Sequence, residues 1–331
     1  MDWTDRIGRR VKLRDLHILL AVVRAGSMGK AAATMAMSQP VVSKAISGLE
    51  QSLGVRLLDR TPQGVEATAH GRAVLQCGVA VFDELRKGVD ALAWLSDPSA
   101  GELRIGCTEA AAAGLVPAVI DQFMRRYPRV TFRIVTADTE TLAERALPNR
   151  EVDLAIGATP VSLKCSPTIV EPLFDDRHVV MAGARTKWRR RRGVLLAQLV
   201  DEPWVLPPAT SVAGLYLAEA FAAAGVPLPA ARVECFSMTL TQQLLATGRF
   251  LAILPIGVIR LGRYDSVKPV DIDWHGVPRT IGVMTLANRT LTPLAQAFVA
   301  CVREMASPMA TAMGSCARPT RGAAAPRKAR R

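Results

Sequence analysis

Two short helical patterns with almost nothing between them, "GSMGKAAATMAMSQPVVSKAISGLEQSLG" from Gly26 to Gly54, constrain this chain more than any other feature. Ser27 and Ser38 each stand where a helix N-cap is wanted, and Pro40 falls in a first turn, where a missing N–H costs little. Helical spacing turns Met28, Ala31, Ala32 and Met35 inward on the first pattern, and Val42, Ile46, Leu49 and Leu53 inward on the second. An earlier pattern shows Leu13, Leu16, Leu20 and Val23 on one face and stops at Gly26. The following "VRLLDRTPQGVEAT" reads as two short strands around a Thr-Pro-Gln-Gly turn. Three helices, one tight turn and a hairpin predict a winged helix-turn-helix over residues 1–68.

The outer face of the third helix is bare. Ser38, Gln39, Pro40, Ser43, Lys44 and Ser47 are the residues it offers, and their small size leaves room for the backbone to enter a DNA major groove. Gln suits adenine, Lys suits guanine and Ser is permissive. Arg56 and Arg60, beside the wing, suit phosphates. The plain alternative is a solvated face of a helical bundle; the caps, the early proline and the wing together favour DNA. The formal net charge of +13 fits a polyanionic partner. Residues 1–72 carry 11 Lys and Arg against 6 Asp and Glu, and "RTKWRRRR" and the last 24 residues add further cations.

From Ala69 to about Leu95 a single helical pattern runs without proline. Leu75, Phe82 and Val89 recur every seven residues, as do Gly78, Leu85 and Leu92, which predicts a dimerisation seam on a linker helix over 69–96. Packing of this helix against its own chain is the alternative. A dimer would let two recognition helices read a pseudo-palindrome.

Residues 97–307 open at the loop signal "SDPSAGE" and alternate strand and helix patterns, pointing to βαβ units and a parallel sheet. A late strand "TIGVMTLA" and a last helix at about 292–306 return to the first set. The expected fold class is therefore α + α/β, with two α/β lobes, about 97–174 with 275–307 and about 175–274. A cleft outside strand ends is where such sheets hold ligands. Thr108, Thr139, Ser211 and Ser237 sit at strand-to-helix junctions, where hydroxyls and helix N–H groups suit a small anion; a simple cap is the alternative for each. Residues 308–331 are Ala-, Pro- and Arg-rich and are expected to form a basic disordered tail.

The stretch from Ala25 to Gly71, with its Ala-Ala pair, "SQPVVSKAI", "LEQSLG" and "TPQG", resembles the N-terminal domain of LysR-type transcriptional regulators over about residues 11–72. The resemblance implies that Gln39, Pro40, Ser43, Lys44 and Arg60 contact DNA, that the linker helix pairs chains into a homodimer or homotetramer, and that the two lobes form an effector domain similar to periplasmic binding proteins. It also implies an operator, a small-molecule effector and contact with RNA polymerase; the scattered cysteines, read as reduced thiols, point to a cytoplasmic location. Gly29 stands where the family has Thr or Ser, and Lys44 where it has Arg. Arg249 and Phe250 replace smaller residues in a segment that the family places near the cleft.

Other chemistries find little support. "AGSMGKA" lacks the spacing and the preceding strand of a phosphate loop, and there is no G-x-G-x-x-G. The four histidines and six scattered cysteines show no metal-ligand spacing, so neither cofactor nor metal is expected. No convergent catalytic set stands out, and the chain reads as a non-enzyme. Two rivals remain: a DNA-associated protein with an inert α/β dimerisation domain, and an enzyme fused to a DNA-binding domain. No apolar run reaches membrane-spanning length and no signal peptide opens the chain.

Overall fold

The computed structural model describes residues 10–61, 64–160, 167–262, 266–272, 274, 276 and 278–314. The chain divides into two compact units, Met1–Leu92 and Ala93–Arg331.

The first unit begins with α1 (Leu13–Ala25), α2 (Met28–Thr34) and α3 (Gln39–Leu53). The Ser27 hydroxyl accepts the Lys30 N–H at 3.3 Å and starts α2. Ser38 occupies the N-cap position of α3 with extended backbone, but its hydroxyl makes no capping bond; Pro40 in the first turn removes one of the donors such a bond would serve. Val42, Ile46 and Leu49 are essentially fully buried and hold α3 in place, each worth about 1.5–3 kcal/mol of burial.

The stripe expected on α1 is rotated. Leu16, Ile18, Leu19 and Val22 enter the core, while Leu13 is 47% exposed and Leu20 leans on Gly78. Two partners explain this: α1 packs on α2 and α3 with one stripe and on the next long helix with another. The wing is β1 (Leu58–Thr61) paired antiparallel with β2 (Gly64–Ala67), Leu58 opposite Ala67. The Glu50 carboxylate accepts the Leu57 and Leu58 N–H groups at 2.8 and 3.2 Å, tying the wing to α3.

The helix α4 (Ala69–Ser96) follows. Thr68 caps it through the Gly71 N–H at 2.9 Å, and its own hydroxyl donates to the Arg56 carbonyl at 2.8 Å. Gly71 is required here by space: a Cβ would sit 2.0 Å from the Leu57 carbonyl oxygen. Leu75 and Phe82 pack on the first unit's own core, and the His17 ring lies edge-on to Phe82 at 5.5 Å. The seven-residue seam is thus divided. These two side chains are satisfied within the chain, whereas Leu85, Val89 and Leu92 are 49%, 65% and 67% exposed.

The second unit runs β3 (Ala100–Cys107), α5 (Glu109–Ala113), α6 (Leu115–Arg126), β4 (Arg129–Thr136), α7 (Thr139–Thr141) with a π turn over Leu142–Ala146, β5 (Leu154–Ala158), β6 (Thr168–Asp176) and β7 (His178–Gly183). It continues with β8 (Trp204–Leu206), α8 (Val212–Ala223), β9 (Ala231–Glu234), α9 (Met238–Ala246), β10 (Leu251–Pro255), α10 (Ile256–Leu261), β11 (Val267–Pro269), β12 (Arg279–Leu286) and α11 (Pro293–Gly314). Two five-stranded sheets result, ordered β4-β3-β5-β12-β6 and β11-β7-β10-β8-β9.

Neither sheet is purely parallel. The trio β4-β3-β5 is parallel, but β12 returns from the second sheet and runs antiparallel to β5 and β6. In the second sheet β7 is likewise antiparallel to β10 and β11. Each chain crossing between lobes enters its new sheet running away from the gap, which reverses it. Sequence patterning missed β6, because Pro172 interrupts its strand signal; the proline is tolerated on this edge strand beside a register shift opposite Gly282.

One further expectation is corrected. Helix α11 continues through Pro308 to Gly314, so residues 308–314 are helical, with Met309 only 5% exposed in the core that justifies the extra turns; residues 315–331 lie outside the described residues. The "WRRRR" run begins in a short 3-10 turn, Lys187–Arg190, anchored by a buried Trp188 with Arg191, just past the turn, over its ring.

Candidate functional site

On α3, Gln39, Pro40, Lys44 and Ser47 are exposed and Ser43 is half-buried. Among the described residues the side chains of Gln39, Lys44 and Ser47 make no hydrogen bond or ion pair within the chain. Three consecutive turns thus present polar groups that the fold does not use. Arg56 is exposed after α3; Arg60 stands on β1, with its side chain outside the described residues. Gly29 on α2 faces Gln39: a Cβ there would lie 3.7 Å from the Gln39 amide oxygen.

The second unit contains a cavity of about 720 Å³ between its two sheets. The ends of β3, β4, β5 and β6 and the start of β12 line one side, and the ends of β8, β9 and β10 with α8 line the other. Thr108, Thr139 and Ser211 all reach it. Thr108 caps α5 and accepts the Ala111 N–H at 3.4 Å. Its methyl uses space left by Gly157, where a Cβ would stand 2.5 Å away. Ser211 accepts the Gly214 N–H at 3.0 Å and donates to the Pro208 carbonyl at 2.6 Å. Thr139 is 7% exposed, and the cap of α7 is Asp138 instead, which accepts the Thr141 N–H at 2.8 Å. Ser237 caps α9 but does not line the cavity; its neighbours Phe236 and Met238 do. Arg249 and Phe250 do not line it either: Phe250 packs into the lobe, with Arg249 over its ring.

Sequence reasoning missed a polar group where the chain crosses between lobes. Asp176 ends β6 and His178 starts β7; Arg279 starts β12, and Tyr216 comes from α8. The Asp176 carboxylate accepts the Gly257 N–H at 3.1 and 3.2 Å through its two oxygens. Burial raises its pKa to about 6 against those backbone donors. Burial, aided by Arg279, lowers His178 to about 4, leaving a neutral imidazole near neutrality. The Tyr216 hydroxyl lies 3.4 Å from His178 Nδ1, and burial raises its pKa to about 12. Arg279 stacks over the Tyr216 ring at 5.4 Å and donates to the Thr159 carbonyl at 3.0 Å. The available signal was positional: "DDRH" and "PRT" flank the two strands that change sheets.

No cluster of three or more His, Cys, Asp or Glu able to hold a metal occurs among the described residues. Among them, no single helix is long and apolar enough to cross a membrane.

This geometry has relatives. Residues 13–72 match the bacterial regulatory helix-turn-helix protein model of the lysR family, and residues 96–307 match the LysR substrate binding domain. The chain belongs to the LysR family and is a LysR-type transcriptional regulator with a substrate-binding domain. The SDS degradation transcriptional activation protein of Pseudomonas sp. (strain ATCC 19151) is 30% identical over 298 residues, 86% of this chain and 94% of that one. The uncharacterized HTH-type transcriptional regulator YdcI of Escherichia coli (strain K12) is 25% identical over 305 residues, 92% and 99% of the two chains. Full-length CbnR, solved in complex with its target DNA, shares the fold with a TM-score of 0.63 at 22% identity, covering 89% of this chain and all of that one.

Proposed function

We propose that the first unit reads an operator by laying α3 in the major groove, and that the cleft of the second unit binds a small-molecule effector that biases this reading. The observation that carries the proposal is the α3 face, whose exposed Gln39, Lys44 and Ser47 have no partner in the chain among the described residues. Gln39, Ser43, Lys44 and Ser47 take base edges or nearby phosphates, Pro40 and Ser38 shape the entry of the helix, and Arg56 and Arg60 hold the backbone. CbnR's structure with its target DNA supports this reading.

Leu85, Val89 and Leu92, left exposed on α4, pair two chains so that two copies of α3 meet a pseudo-palindrome. Thr108, Thr139 and Ser211 contribute to the effector site; Ser237 acts only as a cap. An effector with different affinities for two lobe arrangements shifts their populations, and through the dimer the spacing of the reading heads, DNA bending and contact with RNA polymerase. Such a protein works in the cytoplasm, where its DNA is.

Footprinting tests the groove assignment. Gln39→Ala and Ser43→Ala should weaken operator binding while leaving nonspecific binding unchanged; footprints equal to the parent's would sink it. The effector assignment is tested by titrating the full chain on operator DNA with a broad metabolite set. A compound that changes the footprint should lose its effect in Thr108→Val.

A further inference from the structure

The rim of the cleft is ordered by charge. Backbone hydrogen bonds join the strand-end loops of the first sheet into one row: Ala137 to Cys107, Thr108 to Ile156, and Thr159 to Thr280. Along that row the acids Asp138 and Glu140 follow β4, Glu109 follows β3, and Arg279 begins β12. With strands about 4.8 Å apart, Arg279 stands two positions, roughly 10 Å, from the β3 end and three, roughly 14 Å, from the β4 end.

Some of these charges are already used. Asp138 caps α7 and Asp176 holds the Gly257 N–H. The rest are not. One carboxylate oxygen of Glu140, Oε1, is buried and has no hydrogen-bond partner among the described residues. Glu109 makes no ion pair among the described residues, and neither does Arg279. A buried acceptor without a donor is unfavourable by kilocalories unless something supplies one. The wall facing this row, from the ends of β8, β9 and β10, is apolar, with Val205, Leu206, Phe236 and Ile253.

We propose that the cleft binds a dipolar aminocarboxylate: its carboxylate at Arg279 and the Tyr216 hydroxyl, its ammonium at Glu140 and Glu109, and its hydrocarbon middle on the apolar wall. This rests on the effector reading of the cleft and sharpens it. A purely anionic ligand would leave Glu140 unanswered and set its second charge against two carboxylates. A purely cationic one would face Arg279.

Calorimetry on the full chain tests this with matched probes: aminocaproate, adipate and hexamethylenediamine at six carbons, and aminocaprylate, suberate and octamethylenediamine at eight. At one length or both, the aminocarboxylate should bind at least roughly tenfold tighter than its dicarboxylate and diamine counterparts. Glu140→Gln should weaken it by roughly tenfold and strengthen the dicarboxylate; Arg279→Gln should weaken it similarly and strengthen the diamine. These gains cannot come from a misfolded variant. Dicarboxylate binding equal to or tighter than aminocarboxylate binding overturns the proposal, as does failure of all six probes to bind. The effector reading survives either result if some other metabolite changes the operator footprint through Thr108, and falls separately if none does.

Discussion

The outer face of α3 and the cleft of the second unit are built in opposite ways. The first lies on one 15-residue helix whose inner face alone is claimed by the fold. Its Gln39, Lys44 and Ser47 side chains are exposed and, among the described residues, uncommitted, so its properties are local and survive in the bare order of residues. The second is assembled from the ends of seven strands and the starts of several helices, and most of its polar groups already bond within the chain. A face left idle by folding is suited to a partner far larger than itself. A pocket whose groups are mostly satisfied is suited to a small molecule that answers the few that remain.

The largest expected effect would break the first surface from below. Gly71→Ala places a methyl 2.0 Å from the Leu57 carbonyl oxygen, and neither α4 nor the wing can yield without losing the Thr68 and Glu50 bonds. Destabilisation of about 3 kcal/mol or more is expected. Urea unfolding of the full chain should show an early transition belonging to the first unit, while effector-lobe fluorescence stays at its parent midpoint. A single unchanged transition would mean that the wing is not clamped as described.

The second prediction sharpens the contrast on the cleft side. The native state prefers Asp176 protonated up to about pH 6, so its unfavourable contribution grows as pH rises from the ordinary carboxylate value to 6. It prefers His178 neutral down to about pH 4, so that contribution grows as pH falls from the ordinary imidazole value to 4. Between about 4 and 6 the two slopes oppose each other and nearly cancel. Asp176→Asn removes one slope. The variant should be more stable than the parent near neutrality and then lose about 3 kcal/mol on acidification toward pH 4. Chemical unfolding across that range checks it, and parallel pH profiles for the two proteins would count against the buried pair.

How legible each surface was follows from the same contrast. Ser27, Pro40, Val42, Ile46 and Leu49 announce two helices because caps, first-turn proline and helical period act over a few residues. The rotated stripe of α1 was not legible, since which face is buried depends on α4, sixty residues downstream. The seam on α4 was half legible for the same reason: a seven-residue period marks what is apolar, not which neighbour covers it. In the cleft, Thr108, Thr139 and Ser211 could be found at strand-to-helix junctions. Arg279, His178, Asp176 and Tyr216 could not, because they converge only after the chain has crossed twice between sheets. Ser237 has the same local signature as Ser211 and caps its helix as well, yet lies off the cavity; local chemistry does not say which cap faces inward.

Back on α3, removing one reader at a time should give intermediate effects. Gln39→Ala or Ser43→Ala is expected to cost about 1–3 kcal/mol of operator affinity, with nonspecific affinity and the salt slope unchanged. Arg56→Ala should instead weaken both kinds of binding and lower the salt slope by about one. Competition binding at several salt concentrations separates the two patterns. Equal losses on operator and random DNA from Gln39→Ala would move that residue from base edge to backbone.

The smallest expected effect is also the most specific to this chain. Lys44 is exposed and makes no ion pair within the protein among the described residues. An ammonium meets guanine as a point charge, whereas a guanidinium can donate two parallel bonds to O6 and N7. Lys44→Arg adds no charge, so the salt slope and nonspecific affinity should hold. If Lys44 faces a guanine, affinity for that operator should rise by about 1 kcal/mol, and discrimination against a substituted base at that one position should rise with it. An increase shared by random DNA would place Lys44 over a phosphate instead. The α3 face would then read through Gln39, Ser43 and Ser47 alone, giving a reader with fewer base contacts and more reliance on its dimer.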